Sequence, residues 1–233
     1  MTDPSAVFFQ ALDSRIDRYD LLQHPFYQAW SKGELTRQDL REYAEEYWHH
    51  VSAFPAYLSS LHSRLPDGKL RRIVLGNLAE EEGLYDGHPH SDLWMDFARG
   101  MGAEEDDVRA REIGPQTRAL LEHFREAMQG PPAAALTALY AYESRVPAIA
   151  KTKAEGLEQH YSADDVTRRY FTVHRLADVH HARVWRNALA AELAAHPEQT
   201  EAALAAGEDA ARALWATLDG IENARQARMA VAA

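Results

Sequence analysis

The sequence predicts an all-α protein, and three observations carry that expectation. Only 12 of the 233 residues are Gly and 10 are Pro, so chain breakers are sparse. The rest is rich in Ala, Leu, Glu and Arg, which favour helix because they lose little side-chain freedom in it. No β-branched run alternates with polar residues over the roughly four to eight positions a strand requires, and the breakers separate segments of helical periodicity.

Taken in order, the first helix is expected over residues 4–19. His24-Pro25 interrupts the chain and opens another helical turn with Pro at an early position, where its missing N–H is no loss. The stretch from Ser31 to Thr36 is the next break. Thr36 reads as an N-cap partnered by Asp39, starting a long helix through about His62 that Pro55 should kink. Pro66-Asp67-Gly68 ends it. A helix from Lys69 enters the Gly83–His88 region, where Gly87 and Pro89 oppose continuation. Further helices are expected over 91–100, 104–129, 132–158, 163–194 and 197–228, giving about seven or eight in a bundle. Gly130-Pro131-Pro132 is the strongest internal break, but it is short and no composition shift flanks it. One domain over residues 1–233 is therefore expected.

The charge balance narrows the function. With 36 acidic and 25 basic side chains the net charge is −11, and the Lys and Arg are interspersed with Glu and Asp. A nucleic-acid reader needs a basic stripe to displace counterions, and an anionic membrane surface needs one too, so neither partner is expected. Cysteine is absent, which excludes disulfides, thiolate nucleophiles and sulfur-ligated metals. Met-Thr-Asp-Pro-Ser lacks the basic and apolar regions of a leader, and no apolar run approaches the roughly 18 residues of a membrane span. Cytoplasm is the default compartment. The 12 histidines are the residues to follow.

The segment His174-Arg175-Leu176-Ala177-Asp178-Val179-His180-His181 lies on an expected helix. At about 100° per residue, positions 174, 178 and 181 fall near 0°, 40° and −20°, so two imidazoles and a carboxylate share one face. Such a set suits iron, manganese or zinc. The competing reading is a solvated face, and Arg168, Arg169, Arg175 and Arg183 show that this helix has a wet side. Glu81 and His88 also share a helix face, but about 10.5 Å of rise separates them, so one ion reaches both only where Gly83 and Gly87 unwind the chain. The plainer reading is an acidic helix end followed by a loop histidine. Glu143 follows an apolar helical stretch from Ala133 to Ala141, where a carboxylate is either at the surface or buried with a partner such as a metal. Together Glu81, Glu143, Asp178, His88, His174 and His181 match a dimetal, oxygen-activating centre of N/O donors better than a structural zinc site. His49, His50, His90 and His180 are not expected to be ligands.

On these residues the chain resembles the haem-oxygenase-like dimetal oxidases, relatives of the PqqC and TenA proteins, and most closely the group named after the Chlamydia protein associating with death domains. The resemblance spans about residues 5–225. It rests on the pattern Glu-x6-His, a lone Glu, then His-x3-Asp-x2-His, which falls on Glu81, His88, Glu143, His174, Asp178 and His181. Relatives that decarboxylate fatty acids carry a closer Glu-x2-His pair, and here Leu84 occupies that position.

The resemblance implies a helical haem-oxygenase-like fold, two metal ions (Fe/Fe or Mn/Fe), O2 as co-substrate and an external reductant. It implies synthesis of para-aminobenzoate, a folate precursor, from the enzyme's own side chains. Tyr27, in His24-Pro25-Phe26-Tyr27-Gln28-Ala29-Trp30, is then the tyrosine consumed. Lys153 is the implied amino donor, with Lys151 close by, while Tyr43, Tyr142 and Tyr170 fall where the group carries tyrosines near the metals. The scaffold also allows a homodimer. Read without the resemblance, these tyrosines are amphipathic core residues and the lysines a solvated helix end. Two other functions remain open from the sequence: an oxidase of this fold acting on an external fatty acid or amino acid derivative, and a non-catalytic binding protein.

Overall fold

Helices begin and end largely at the breakers in the computed structural model, which describes residues 4–85 and 87–232. Helix α1 (Pro4–Ile16) runs into 3-10 turns at Asp17–Tyr19 and Leu21–Gln23, followed by α2 (Pro25–Ser31), α3 (Arg37–Arg64), α4 (Lys69–Glu81) and α5 (His90–Gly100). Then come α6 (Glu105–Ala110), α7 (Pro115–Gln129), α8 (Pro132–Glu143), α9 (Val146–Tyr161), α10 (Asp165–Ala195), a 3-10 turn at Pro197–Gln199, and α11 (Thr200–Ala232). No strand occurs among the described residues. No helix among them is long and apolar enough to cross a membrane. Met1, Thr2 and Asp3, on which the leader expectation partly rests, lie outside the described residues.

The Thr36 cap forms as expected. Asp39 N donates to Thr36 Oγ1 at 3.1 Å and Thr36 N donates to Asp39 Oδ2 at 2.7 Å, the reciprocal arrangement that satisfies two orphan donors. Helix α3 continues through Pro55. Two expected helices are each split. The 104–129 segment divides into α6 and α7 because Pro115 takes the first position of a new helix, and the 132–158 segment divides at Ser144-Arg145, ahead of Pro147. Proline is accommodated in a helix's first turn and breaks the hydrogen-bond ladder in its interior.

Three long helices alternate with three shorter ones around the core. Helix α5 packs between α3 and α10, α8 between α10 and α11, and α7 between α11 and α3. Helix α8 (PAAALTALYAYE) is apolar on all sides and buries Ala133, Leu136, Ala138 and Leu139 along with Glu143 at its end. A helix without a polar face belongs inside, so Glu143 is carried inward by the helix that bears it.

Candidate active site

Two clusters of buried donors lie where α4, α5, α8 and α10 meet. The first is Glu81, His90 and His174; the second is Glu143, Asp178 and His181; within each, one ligand atom per residue lies within 4.8 Å of the others. In the first, His90 Nδ1 is 2.9 Å from Glu81 Oε2, and the His90 and His174 rings are 4.4 Å apart. In the second, His181 Nδ1 is 3.0 Å from Asp178 Oδ1 and 3.4 Å from Glu143 Oε2. His174, Asp178 and His181 project from one face of α10, as the helical angles require.

The sequence expectation placed His88 beside Glu81; the structure places His90 there instead. Helix α4 ends at Glu81, so helical counting from it does not extend to residue 88. Gly83 takes a left-handed conformation (φ +68°), and a Cβ on it would lie 2.4 Å from Pro89 N. Only glycine allows this close return of the chain. The return delivers His90 as the first residue of α5, which packs on α10, while His88 stays half-buried in the loop and belongs to neither donor cluster.

Neighbouring groups orient the imidazoles. His174 Nδ1 is 2.7 Å from the Tyr170 carbonyl, which can only accept, so the proton sits on Nδ1 and Nε2 is the bare nitrogen. His181 Nε2 is engaged by Glu80, which turns Nδ1 toward Asp178 and Glu143. Trp185 Nε1 donates to Glu143 Oε2 at 2.8 Å, while Glu143 Oε1 is buried without a hydrogen-bond partner.

The electrostatics favour a cation. Burial disfavours charge on His181, but its hydrogen bond to Asp178 and the nearby Glu143 outweigh this and push the imidazole up to about 10. Burial drives the Glu143 carboxyl well above the usual range. Burial also opposes charge on Glu81, yet His90 holds its carboxyl below the ordinary value. A proton held between two buried carboxylates marks a place where a divalent ion is favoured. The unpartnered Glu143 oxygen is the buried acceptor such an ion would satisfy. Two imidazoles with one carboxylate, and two carboxylates with one imidazole, are donor sets suited to first-row metals.

A second buried cluster has a different character. Lys153 of α9 is 5% exposed, and its Nζ lies 2.7 Å from the Tyr27 hydroxyl and 2.5 Å from the Tyr43 hydroxyl. The two hydroxyls are 3.2 Å apart. Nζ lies 4.2 Å from the centroid of the Tyr27 ring and 4.7 Å from that of Tyr43, with Trp30 and Phe171 completing the walls. With no carboxylate beside it, burial alone lowers the lysine well below its ordinary value and disfavours the charged form of the amine. Burial raises the Tyr27 and Tyr43 phenols, so both keep their protons. Lys151, by contrast, is exposed and pairs with Glu155 at 3.9 Å. Gly156 permits this packing, because a Cβ there would lie 2.8 Å from Trp30 Cδ1.

A row of rings links the clusters. The Tyr43 and Tyr47 rings stack at 5.5 Å, the Tyr47, Tyr142 and Tyr170 hydroxyls interact with one another, and the Tyr170 ring stacks on His174 at 4.0 Å. Tyr27, Tyr47, Tyr142, Lys153 and Tyr170 line a common cavity of about 30 Å³. Sequence reasoning missed His90, Glu80, Tyr47 and Trp185. For His90 a signal existed: it directly follows Pro89, with Asp92 in the turn after it, which is how a helix starts.

The sequence profile of the iron-containing redox enzymes matches residues 41–216. A protein of Nitrosomonas europaea named 4-aminobenzoate synthase is 41% identical over 228 residues, covering 93% of this chain and 91% of that protein. A Chlamydia muridarum protein of the same name is 41% identical over 179 residues, covering 76% of this chain and 75% of its own. Among solved structures, a domain of unknown function with a haem oxygenase-like fold from Shewanella denitrificans superposes with a TM-score of 0.78 at 19% identity, covering 97% of this chain and 94% of that one. The donor clusters, the helical architecture and these matches agree: the chain belongs to the family of iron-containing redox enzymes with a haem-oxygenase-like fold.

Proposed function

We propose that the protein is an oxygen-dependent dimetal oxidase that makes para-aminobenzoate from its own Tyr27, with Lys153 as the source of the amino group. The observation that carries this reading is the 2.7 Å approach of Lys153 Nζ to the Tyr27 hydroxyl. That oxygen sits on the ring carbon opposite Cβ. Exchange of the ring oxygen for the Lys153 nitrogen, with the lysine Cε left as an aldehyde, cleavage of the Cα–Cβ bond and oxidation of Cβ to a carboxyl, with O2 as the oxidant throughout, would give para-aminobenzoate. The 4-aminobenzoate synthases of Nitrosomonas and Chlamydia support the same product.

On this reading Glu81, His90 and His174 would hold one metal ion and Glu143, Asp178 and His181 the other. Iron with iron or with manganese would supply the redox chemistry there, with O2 as oxidant and an external reductant. The chain's own residues do the rest. Lys153 is aligned on the ring oxygen, to which its Nζ donates. Tyr43 holds Lys153 from the other side. Tyr142 and Tyr170, joined to Tyr43 by Tyr47, form the route by which an electron leaves Tyr27 toward His174. Trp30 and Phe171 exclude water.

The test is the mass of the peptide carrying Tyr27 before and after reduced protein loaded with Fe(II) and Mn(II) meets O2. Loss of the Tyr27 side chain with para-aminobenzoate in the filtrate is the expected result. An intact Tyr27 together with a truncated Tyr43, which lies equally close to the lysine, would move the reaction to Tyr43. Both intact despite O2 uptake would redirect it to an external substrate.

A further inference from the structure

Helix α2 has seven residues, too few to hold its own shape, yet it presents Tyr27 to Lys153. Its far end is held by Trp30 against Gly156 of α9. Its near end begins at His24, which is fully buried and adopts the extended backbone of an N-cap (φ −66°, ψ 136°). The Phe26 N–H donates to His24 Nδ1 at 3.1 Å, and His24 Nε2 lies 3.1 Å from Asp219 Oδ1 of α11. The imidazole also meets the Trp215 ring edge-on at 4.7 Å. Because a backbone N–H can only donate, Nδ1 is the bare nitrogen, and the proton sits on Nε2, where Asp219 accepts it. Ser, Thr, Asp and Asn make better N-caps, but they are too short to cap one helix and grip another.

We infer that His24 is the positioning residue for Tyr27: it caps α2 and latches it to α11 through Asp219, and so holds the phenol on Lys153. Tyr27 is in the first turn of α2, the part that frays when a cap is lost. None of the six metal donors lies on α2 or α11, so the latch acts on the tyrosine and leaves the donor clusters alone. The inference rests on the reading of Tyr27 as the reacting side chain.

The experiment measures nitration of Tyr27 by tetranitromethane in the full-length, metal-free protein, read as peptide mass, with Tyr57 and Tyr170 as internal controls. In His24→Ala, Tyr27 should be nitrated roughly five- to tenfold faster, the consequence of removing a helix cap, with Tyr57 and Tyr170 unchanged. His24→Asn, which keeps a capping acceptor, should restore most of the protection. Asp219→Ala, at a half-exposed partner, should give about a two- to threefold rise. Should His24→Ala fail to fold, Asp219→Ala and His24→Asn carry the test. Wild-type protection of Tyr27 in every variant that folds would overturn the latch, as would Tyr57 and Tyr170 becoming reactive in step with Tyr27. This readout needs no turnover: a Tyr27 left intact by metal and O2 would sink the proposed function and leave the latch standing.

Discussion

The two halves of the site bury ionisable groups in opposite ways. At the donor clusters, carboxylates and imidazoles face each other, and charge is met by a neighbour of opposite sign: Glu81 by His90 and Asp178 by His181. Around Lys153 there is no counter-charge, and burial works against the charge itself. The difference teaches what each half is built to meet. Compensated charges can exchange a proton for a metal ion with little rearrangement. An uncompensated amine boxed in by aromatic rings, its charged form disfavoured, is held against two phenol oxygens.

Four substitutions would break or sharpen that contrast. Tyr27→Phe removes the ring oxygen at the neutral end, so para-aminobenzoate formation should disappear while metal content stays at the wild-type level, as measured by elemental analysis beside product assay. His90→Ala attacks the compensated end, and its metal content should fall by about one ion per chain. His88→Ala should keep the full complement, and the reverse result would restore the helical count from Glu81. Gly83→Ala places a side chain at a left-handed position against Pro89, so thermal unfolding should show a loss of at least about 1–2 kcal/mol, with weaker retention of the ion nearest His90.

Lys153→Met gives the most diagnostic effect, because it varies with pH. The unfolded chain binds a proton on Lys153 up to its ordinary value near 10.5, whereas the folded chain binds it only at a lower pH. Unfolding therefore takes up a proton between those values, and the stability contribution of this site rises with pH. The Met variant should be the more stable protein at neutral pH. Its advantage should shrink by up to about 1.4 kcal/mol per pH unit as the pH climbs toward 10.5, as followed by urea unfolding. An advantage independent of pH would mean that the lysine is charged in the fold.

Much of this was legible in the sequence because it is local. The Thr36 cap, the Pro25 helix start and the common face of His174, Asp178 and His181 all follow from backbone geometry over a few residues. The expectation of para-aminobenzoate synthesis, with Tyr27 consumed and Lys153 as amino donor, came only from the family resemblance, whereas the dimetal donor set was read from the carboxylates and imidazoles themselves. What was missed was non-local or fell at a turn. The pairing of His88 with Glu81 rested on the Glu-x6-His pattern of the resemblance and on unwinding at Gly83 and Gly87; the chain does double back at Gly83, and it sets His90 beside Glu81. The splits at 111–114 and 144–145 show the same weakness, since apolar periodicity continued across prolines that start new helices. Tyr47 and Glu80 carry no sequence signal at all: their roles exist only because α3 and α4 bring them to Tyr142 and His181.

Tyr27 is 3% exposed and packs edge-on against Trp30 and Tyr43, so its ring is also part of what fills the interior. On the proposed chemistry, each catalytic event empties that space. Vacating an aromatic-sized site costs about 3–5 kcal/mol, a large fraction of the roughly 5–15 kcal/mol that holds a domain folded. A spent chain would thus be a cavity mutant of its former self, opening to proteases more often than an unused copy.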